Sequence, residues 1–323
     1  MLLGRKRFHF ARRLLALAAA ALSLASIRVI AAASLPGVEH VVIIGVDGMS
    51  TEGVEKATAP NMHQFMRDGA YTLHARGVMP TVSSPNWASM IMGAGPEQHG
   101  VTSNDWQPDE YEITPVCRGS AGIFPTIFGV LREERSSSII ACFTDWDGFV
   151  RLVEPKAPDV IEYVEGVDNT TAHAIACLQR KKPTFTFIHY DSVDHAGHTY
   201  GWGTTEYYEA VAQVDQLIGK VTEAIKQAGM FGRTIILVTA DHGGQGKKHG
   251  GNTMQELEIP WIIFGPDVSP GKEITSPVNT YDTAATVAYI FGLTPPNCWI
   301  GRPVLEAFKS LQAATGADVP SKR

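Results

Sequence analysis

Positive charge is scarce in this chain, and the scarcity removes a class of functions. Lysine and arginine together number 27 against 33 aspartates and glutamates, a formal net charge of −6. Gripping a nucleic-acid backbone takes a basic footprint, so a nucleic-acid duplex is excluded as partner. An anionic substrate is admitted only if bound metal supplies the missing positive charge. Cysteine is sparse too: Cys117, Cys142, Cys177 and Cys298 are too widely spaced for a zinc ribbon or a CxxC redox pair. No GxSxG elbow occurs, which excludes the nucleophile turn of Ser-His-Asp hydrolases. Internal repeats, linkers and low-complexity segments are absent as well.

Long hydrophobic runs are missing beyond the N-terminus. There, Arg5-Lys6-Arg7 and Arg12-Arg13 precede the apolar stretch Leu14 to Ala25, followed by Ala31-Ala32-Ala33. A basic start, an apolar middle and small residues at the end make a secretory signal peptide over residues 1–33, with cleavage after Ala25 or Ala33. The apolar stretch is shorter than the ~20 residues a membrane span needs, and Arg28 interrupts it. The expectation is an exported protein, periplasmic or secreted, with no stable membrane span once the signal is removed. In such a compartment one or two disulfides are allowed. Spacing does not choose a pairing, and Cys142, inside the apolar segment 139–143, also reads as a buried free thiol. What remains suits one large α/β domain over residues 36–310, ending in a flexible tail at 314–323.

Three apolar runs each end in aspartate: His40 to Asp47, Thr184 to Asp191 and Thr234 to Asp241. Short β-rich runs bounded by polar or glycine signals read as strands buried on both faces of a parallel sheet. Between them lie helical stretches, near 59–68 with Pro60 at its start, 124–134, 168–180, 205–228 and 281–291, with further strands near 71–79, 137–143 and 259–264. Strand and helix alternating in this way predict a mostly parallel central sheet with helices on both faces. The polar segment 104–121 reads as a loop over the site.

Ligand sites in open α/β sheets form beyond the carboxyl ends of the strands. The second run continues as Asp194-His195-Ala-Gly-His198 and the third as Asp241-His242, with His249 close behind. Carboxylates and imidazoles gathered at one sheet edge are the ligand set of a divalent metal. Asp47 alone could cap a turn; three equivalent strand ends together point to metal. Ser83 stands before a helix opened by Pro85. A hydroxyl there is either an N-cap or, with metal beside it, a nucleophile that needs no histidine base.

In order along the chain, Asp47, Pro80-Thr-Val-Ser83-Ser-Pro85-Asn86, Gly93-Ala-Gly-Pro96-Glu-Gln-His99-Gly100 running on to Asn104, Asp194-xxx-His198, Asp241-His242-Gly243 and His249-Gly250 resemble the alkaline phosphatase superfamily, in its type I phosphodiesterase/nucleotide pyrophosphatase branch. The likeness covers most of residues 40–265. It implies two Zn2+ per chain, other divalent metals being admissible, one held by Asp47, Ser83, Asp241 and His242 and the other by Asp194, His198 and His249. It further implies Ser83 as nucleophile, Asn104 as hydrogen-bond partner of a phosphoryl oxygen, and a small phosphate ester as substrate. Three carboxylates and an alkoxide balance two dications, so the ligand set is chemically coherent. Asp191 and His195 lie near the ligands but off the family positions, which points to supporting roles. His99 is expected to orient the loop before Asn104, while Lys247, Lys248, Trp87, Trp106 and Trp146 are candidate substrate contacts or plain surface and packing residues.

The match departs from the branch at Ser83-Ser84, where threonine and an aromatic that stacks on a nucleobase are usual. Diesters remain the expected substrates, with loss of the aromatic weakening the case for nucleotides. A phosphomonoesterase is the alternative, and a dianionic phosphate wants a further cation, for which Lys247 and Lys248 offer themselves. A sulfatase needs arginine where Trp87 stands, and a non-catalytic metal-stabilised binding protein would sit oddly with a complete ligand set.

Overall fold

The computed structural model describes residues 34–309. The expected signal peptide over residues 1–33 and the tail over 314–323 lie outside them. Strands β1 (His40–Val46), β2 (Ala70–Arg76), β3 (Ile140–Thr144), β4 (Val160–Tyr163), β5 (Phe185–Tyr190), β6 (Thr234–Thr239), β7 (Glu258–Phe264) and β8 (Lys272–Glu273) form one sheet in the order β4-β3-β5-β1-β6-β7-β2-β8. Only β7 runs against the rest, pairing antiparallel with β6 and β2. The sheet is therefore mostly parallel, as expected, and the apolar segment at 259–264 is its exception.

Every residue of β1, β5 and β6 is buried. Two groups of helices bring this about. The helices Thr51–Lys56, Pro60–Asp68, Val167–Lys181, Ser192–Tyr200 and Thr205–Gln227 pack among themselves, as do Ser83–Met92, Pro96–His99, Ile127–Glu134 and Asp282–Phe291. A parallel sheet covered on both faces has no polar face to alternate with, which is why its strands read as unbroken apolar runs.

Register then places the chemistry. Val46 pairs with Tyr190 and Gly45 with Thr239. Continuing those ladders by one and two residues sets Asp47 beside Asp191 and Asp241 at the carboxyl end of three neighbouring strands. Gly45 has to be glycine, because a Cβ there would lie 2.6 Å from the Trp87 ring. The helix that starts at Ser83 thus rests directly on the central strand.

Several boundaries differ from expectation for local reasons. The helix expected from residue 124 begins at Ile127, because Thr126 caps it by accepting from Phe128 N and Gly129 N. The strand expected to reach residue 79 stops at Arg76, since the Asn86 side chain takes over the backbone beyond it, accepting from Val78 N at 2.6 Å and donating to Pro80 O and Val82 O at 3.1 and 2.9 Å. The helix Ser192–Tyr200 had no apolar periodicity to announce it, yet it sets Asp194 and His198 four residues apart on one face. Cys117 and Cys298 form a disulfide, while Cys142 and Cys177 are buried free thiols. Among the described residues no helix is long and apolar enough to cross a membrane.

Candidate metal centre

The three strand ends meet at Asp47-Gly48. The φ of Gly48 is +68°, and a Cβ would sit 2.8 Å from the Asp194 Cα, so both the turn and the close approach demand glycine. Its N–H donates to Asp241 Oδ1 at 3.1 Å, and its carbonyl accepts from Trp202 Nε1 and the Tyr207 hydroxyl. With Asp47 N donating to Tyr190 O at 2.8 Å, the turn after β1 is thereby tied to the ends of both other runs.

Around Asp47 the site is fully enclosed. Asp47 Oδ2 accepts from Trp87 Nε1 at 2.9 Å and faces His189 Nε2 at 3.4 Å. Its Oδ1 accepts no hydrogen bond, and neither does Asp241 Oδ2, although both are buried. His242 Nε2 lies 3.3 Å from the first and 3.2 Å from the second. His242 Nδ1 is 2.8 Å from Gly243 O, so it carries the ring proton and donates, leaving Nε2 as a lone pair. Ser83 Oγ stands 3.4 Å from that same Nε2, at the first turn of its helix and with no side-chain cap bond. Two carboxylate oxygens, an imidazole lone pair and a hydroxyl oxygen thus converge, a group in which acceptors outnumber donors.

The second cluster repeats this logic nearer the surface. Asp194 Oδ2 is 3.4 Å from His198 Nε2, and Asp194 Oδ1, which accepts no hydrogen bond, is 3.7 Å from His249 Nε2. Both rings donate from Nδ1 to backbone carbonyls, His198 to Lys247 O at 3.0 Å and His249 to Thr81 O at 2.8 Å. The rings of His242 and His249 stack at 3.8 Å, joining the two clusters. Burial differs sharply between them. Asp241 and His242 are wholly buried, whereas the His198 side chain is 45% exposed.

Burial and mutual repulsion act on the acids. Burial pushes Asp194 up to about 9, helped by the neighbouring Asp47 and Asp191, and drives Asp241 well above the ordinary carboxylate range. Burial likewise lowers His242 to about 4, keeping it neutral. Asp47 is the exception: burial opposes its ionisation, but the hydrogen bond and charge of His189 with the charge of His242 hold it near 2. His189 is the counterpart, raised to about 9 against the cost of its own burial by Asp145 and Asp47. Acids that resist ionisation side by side, oxygens without donors and outward lone pairs are together what divalent cations satisfy. The donor set suits divalent metal, the ligand atoms of Asp47, Asp241 and His242 lying within 4.8 Å of one another, as do those of Asp194, His242 and His249, with His242 common to both groups. Asp191 also joins Asp47 and Asp194 in such a group, and His198 enters none.

Other expected residues fall as follows. Asn104 Oδ1 accepts from Ser84 N at 2.7 Å, which holds its side-chain amide beside the helix that starts at Ser83. Buried His99 accepts from Val101 N through Nδ1 and meets Ser89 Oγ through Nε2, both at 3.0 Å, tying the loop that leads to Asn104 onto that helix. Lys247 Nζ donates to Thr199 O, His195 is exposed, and Trp87 and Trp106 are buried. Arg151, Asp145, His189 and Thr81 were not singled out from the sequence. Arg151 lies in the 3₁₀ turn Asp147–Leu152 and donates to the Asn104 carbonyl. Asp145 and His189 at strand ends were findable by the logic that found Asp47, while nothing local marks Arg151.

The profile of the family described as type I phosphodiesterase / nucleotide pyrophosphatase matches residues 41–256. Ectonucleotide pyrophosphatase/phosphodiesterase family member 1 of Rattus norvegicus is 22% identical over 245 residues, 69% of this chain and 26% of that protein. Bis(5'-adenosyl)-triphosphatase ENPP4 of Homo sapiens is 24% identical over 224 residues, 65% of this chain and 48% of the relative. The chain thus matches between a quarter and a half of the length of these curated relatives. Among solved structures, murine ectonucleotide pyrophosphatase / phosphodiesterase 5 superposes with a TM-score of 0.67 at 16% identity, covering 80% of this chain and 96% of that one.

Proposed function

Since the chain belongs to the type I phosphodiesterase/nucleotide pyrophosphatase family, we propose that it is a zinc-dependent phosphoric-ester hydrolase, acting on small diesters through a phospho-Ser83 intermediate. The observation that carries this reading is the convergence of Asp47 Oδ1, Asp241 Oδ2 and His242 Nε2, with Ser83 Oγ 3.4 Å from that nitrogen. Asp47, Asp241 and His242 would hold one zinc beside Ser83, and Asp194, His198 and His249 the other. Bound there, two divalent cations lower the pKa of a hydroxyl and offset charge on the attacking and leaving oxygens of an in-line displacement.

The chain's own residues do the rest. Ser83 presents its oxygen from the first turn of a helix, where free backbone N–H groups favour an anion. Asn104, with Oδ1 engaged by Ser84 N, turns its amide hydrogens to a phosphoryl oxygen. Ser83 Oγ forms the new P–O bond as the leaving alkoxide departs and takes a proton. Water then attacks phosphorus, the bond to Ser83 breaks as a proton of the water returns to Ser83 Oγ, and the phosphate monoester leaves. His242 and His249 keep their ring protons on Nδ1, bound to carbonyls, so their Nε2 lone pairs face the metal side throughout.

The test is turnover of bis(p-nitrophenyl) phosphate, p-nitrophenyl phosphate and p-nitrophenyl sulfate by the zinc-loaded protein and by Ser83→Ala. Diester preference that vanishes in Ser83→Ala supports the reading, and undiminished turnover by that variant sinks it. A second reading, phosphomonoester hydrolysis, has one observation in its favour: Arg151 brings a guanidinium to the Asn104 carbonyl, a cation suited to a dianionic phosphate. Arg151→Ala should then cut monoester kcat/KM far more than diester kcat/KM; equal losses refute that selectivity. Export rests on the N-terminal pattern and on the Cys117–Cys298 disulfide. A mature N-terminus after Ala25 or Ala33, read by mass spectrometry of the exported protein, checks it; an intact Met1 in the cytoplasm refutes it.

A further inference from the structure

The two metal clusters are not held in the same way. Asp47, Asp241 and His242 are fixed from within the sheet edge, by Trp87, by Gly48 N and by the His242–Gly243 bond. His198 and His249 depend instead on one surface strap. Lys247 O accepts from His198, His249 belongs to the strap, and residues 245–248 are exposed. What anchors the strap is Thr81, wholly buried and two residues ahead of Ser83. Its hydroxyl donates to Gly251 O at 2.8 Å and accepts from Gly250 N at 3.0 Å, and its carbonyl accepts from His249 Nδ1 at 2.8 Å. Three consecutive strap residues are thus tied to one threonine. Glu256 holds the far side of the same turn, accepting from Gly251 N at 2.7 Å.

We propose that Thr81 is a positioning residue for the Asp194, His198 and His249 half of the site, setting the affinity of the cation held there independently of the cation at Asp47, Asp241 and His242. The physical ground is the role of outer hydrogen-bond partners, which fix a ligating histidine's tautomer and ring orientation. Gly250 has φ +100° and is exposed, so without the Thr81 hydroxyl water takes over its N–H and the turn loses its tether. His249 then keeps only the carbonyl bond and samples other orientations. No residue of the buried cluster bonds to the Thr81 side chain. The inference rests on the two-metal reading above, and it ties the segment that delivers Ser83 to the occupancy of the outer half-site.

The experiment is calorimetric addition of Zn2+ to the metal-stripped full chain, as wild type, Thr81→Val, Thr81→Ser and Glu256→Gln. Wild type is expected to bind in two steps. Thr81→Val should weaken the weaker step, that of the half-site whose His198 side chain is 45% exposed, by about 10-fold and leave the tighter step in place. That is the low end of the range for disturbing the outer partners of a metal ligand, because the carbonyl bond to His249 remains. Thr81→Ser, which keeps the hydroxyl, should restore the affinity. If Thr81→Val does not fold, Glu256→Gln carries the test, since it loosens the same turn from its other end. An unmoved weaker step, an equal loss at both steps, or failure of serine to restore affinity overturns the inference alone. A wild-type chain that takes up a single ion overturns the two-metal reading, and the inference falls with it.

Discussion

Acid should destabilise this protein through His99. The ring lies wholly buried, and burial alone drives its pKa down to about 3. Geometry agrees: Nδ1 accepts from Val101 N, leaving Nε2 to donate to Ser89 Oγ, whose own hydrogen goes to Pro85 O at 2.7 Å. Protonating Nδ1 would set two hydrogens against each other and strand a charge among apolar neighbours. An unfolded histidine takes up its proton near pH 6.5, whereas folded His99 stays neutral down to about 3. Between those values the unfolded state binds more protons, so stability falls as pH falls. Integrated from pH 7.5 to 5.0, the difference is about 2 kcal/mol for this one residue. Urea unfolding of wild type and His99→Gln at the two pH values, at fixed free zinc, isolates it. Wild type should lose about 2 kcal/mol more than the variant over that interval. Equal losses would mean that His99 is not held neutral in the fold, and the reasoning would fail.

Metal removal should act on stability as well as turnover. With zinc at a hundredfold excess over its Kd, stripping each ion costs about 2.7 kcal/mol, read as a lower Tm in chelator that returning zinc restores; an unchanged Tm would refute the fit of the acid cluster to cations. Asp215 tests the packing beneath the site. Its buried carboxylate caps the helix Pro60–Asp68 from another helix, accepting from Asn61 N at 3.1 Å and Met62 N at 2.8 Å. Asp215→Ala leaves those donors unpaired, at a cost of about 2–3 kcal/mol measured by urea unfolding, and a change below about 0.5 kcal/mol, the size of an ordinary surface substitution, would show that the cap does not matter. Residues 117 and 298 offer a simpler check: non-reducing peptide mapping should recover a Cys117–Cys298 cross-linked pair, and free thiols at both positions would contradict it.

Much of the fold was readable because parallel strands covered on both faces leave an unmistakable record, unbroken apolar runs that stop at a polar residue. His40–Val46, Phe185–Tyr190 and Thr234–Thr239 announced themselves in that way, and their terminal aspartates announced the site. The strand Glu258–Phe264 was legible too, but its reversed direction was not, since direction leaves no mark on composition. The helix Ser192–Tyr200 was hidden because the residues that make it useful, Asp194 and His198, displaced the apolar periodicity that would have revealed it.

By itself, then, the amino-acid sequence determined the sheet class, the edge at which chemistry gathers and the kind of ligand gathered there, because side-chain identity and local periodicity carry that information. The tertiary structure alone decided which carboxylate oxygens lack partners, that Thr81 O and Lys247 O set the tautomers of His249 and His198, that Arg151 reaches the Asn104 carbonyl, and that Cys117 pairs with Cys298 across a separation of 181 residues. These contacts join segments far apart in the chain, several of them through backbone carbonyls, which every residue possesses and no sequence pattern distinguishes.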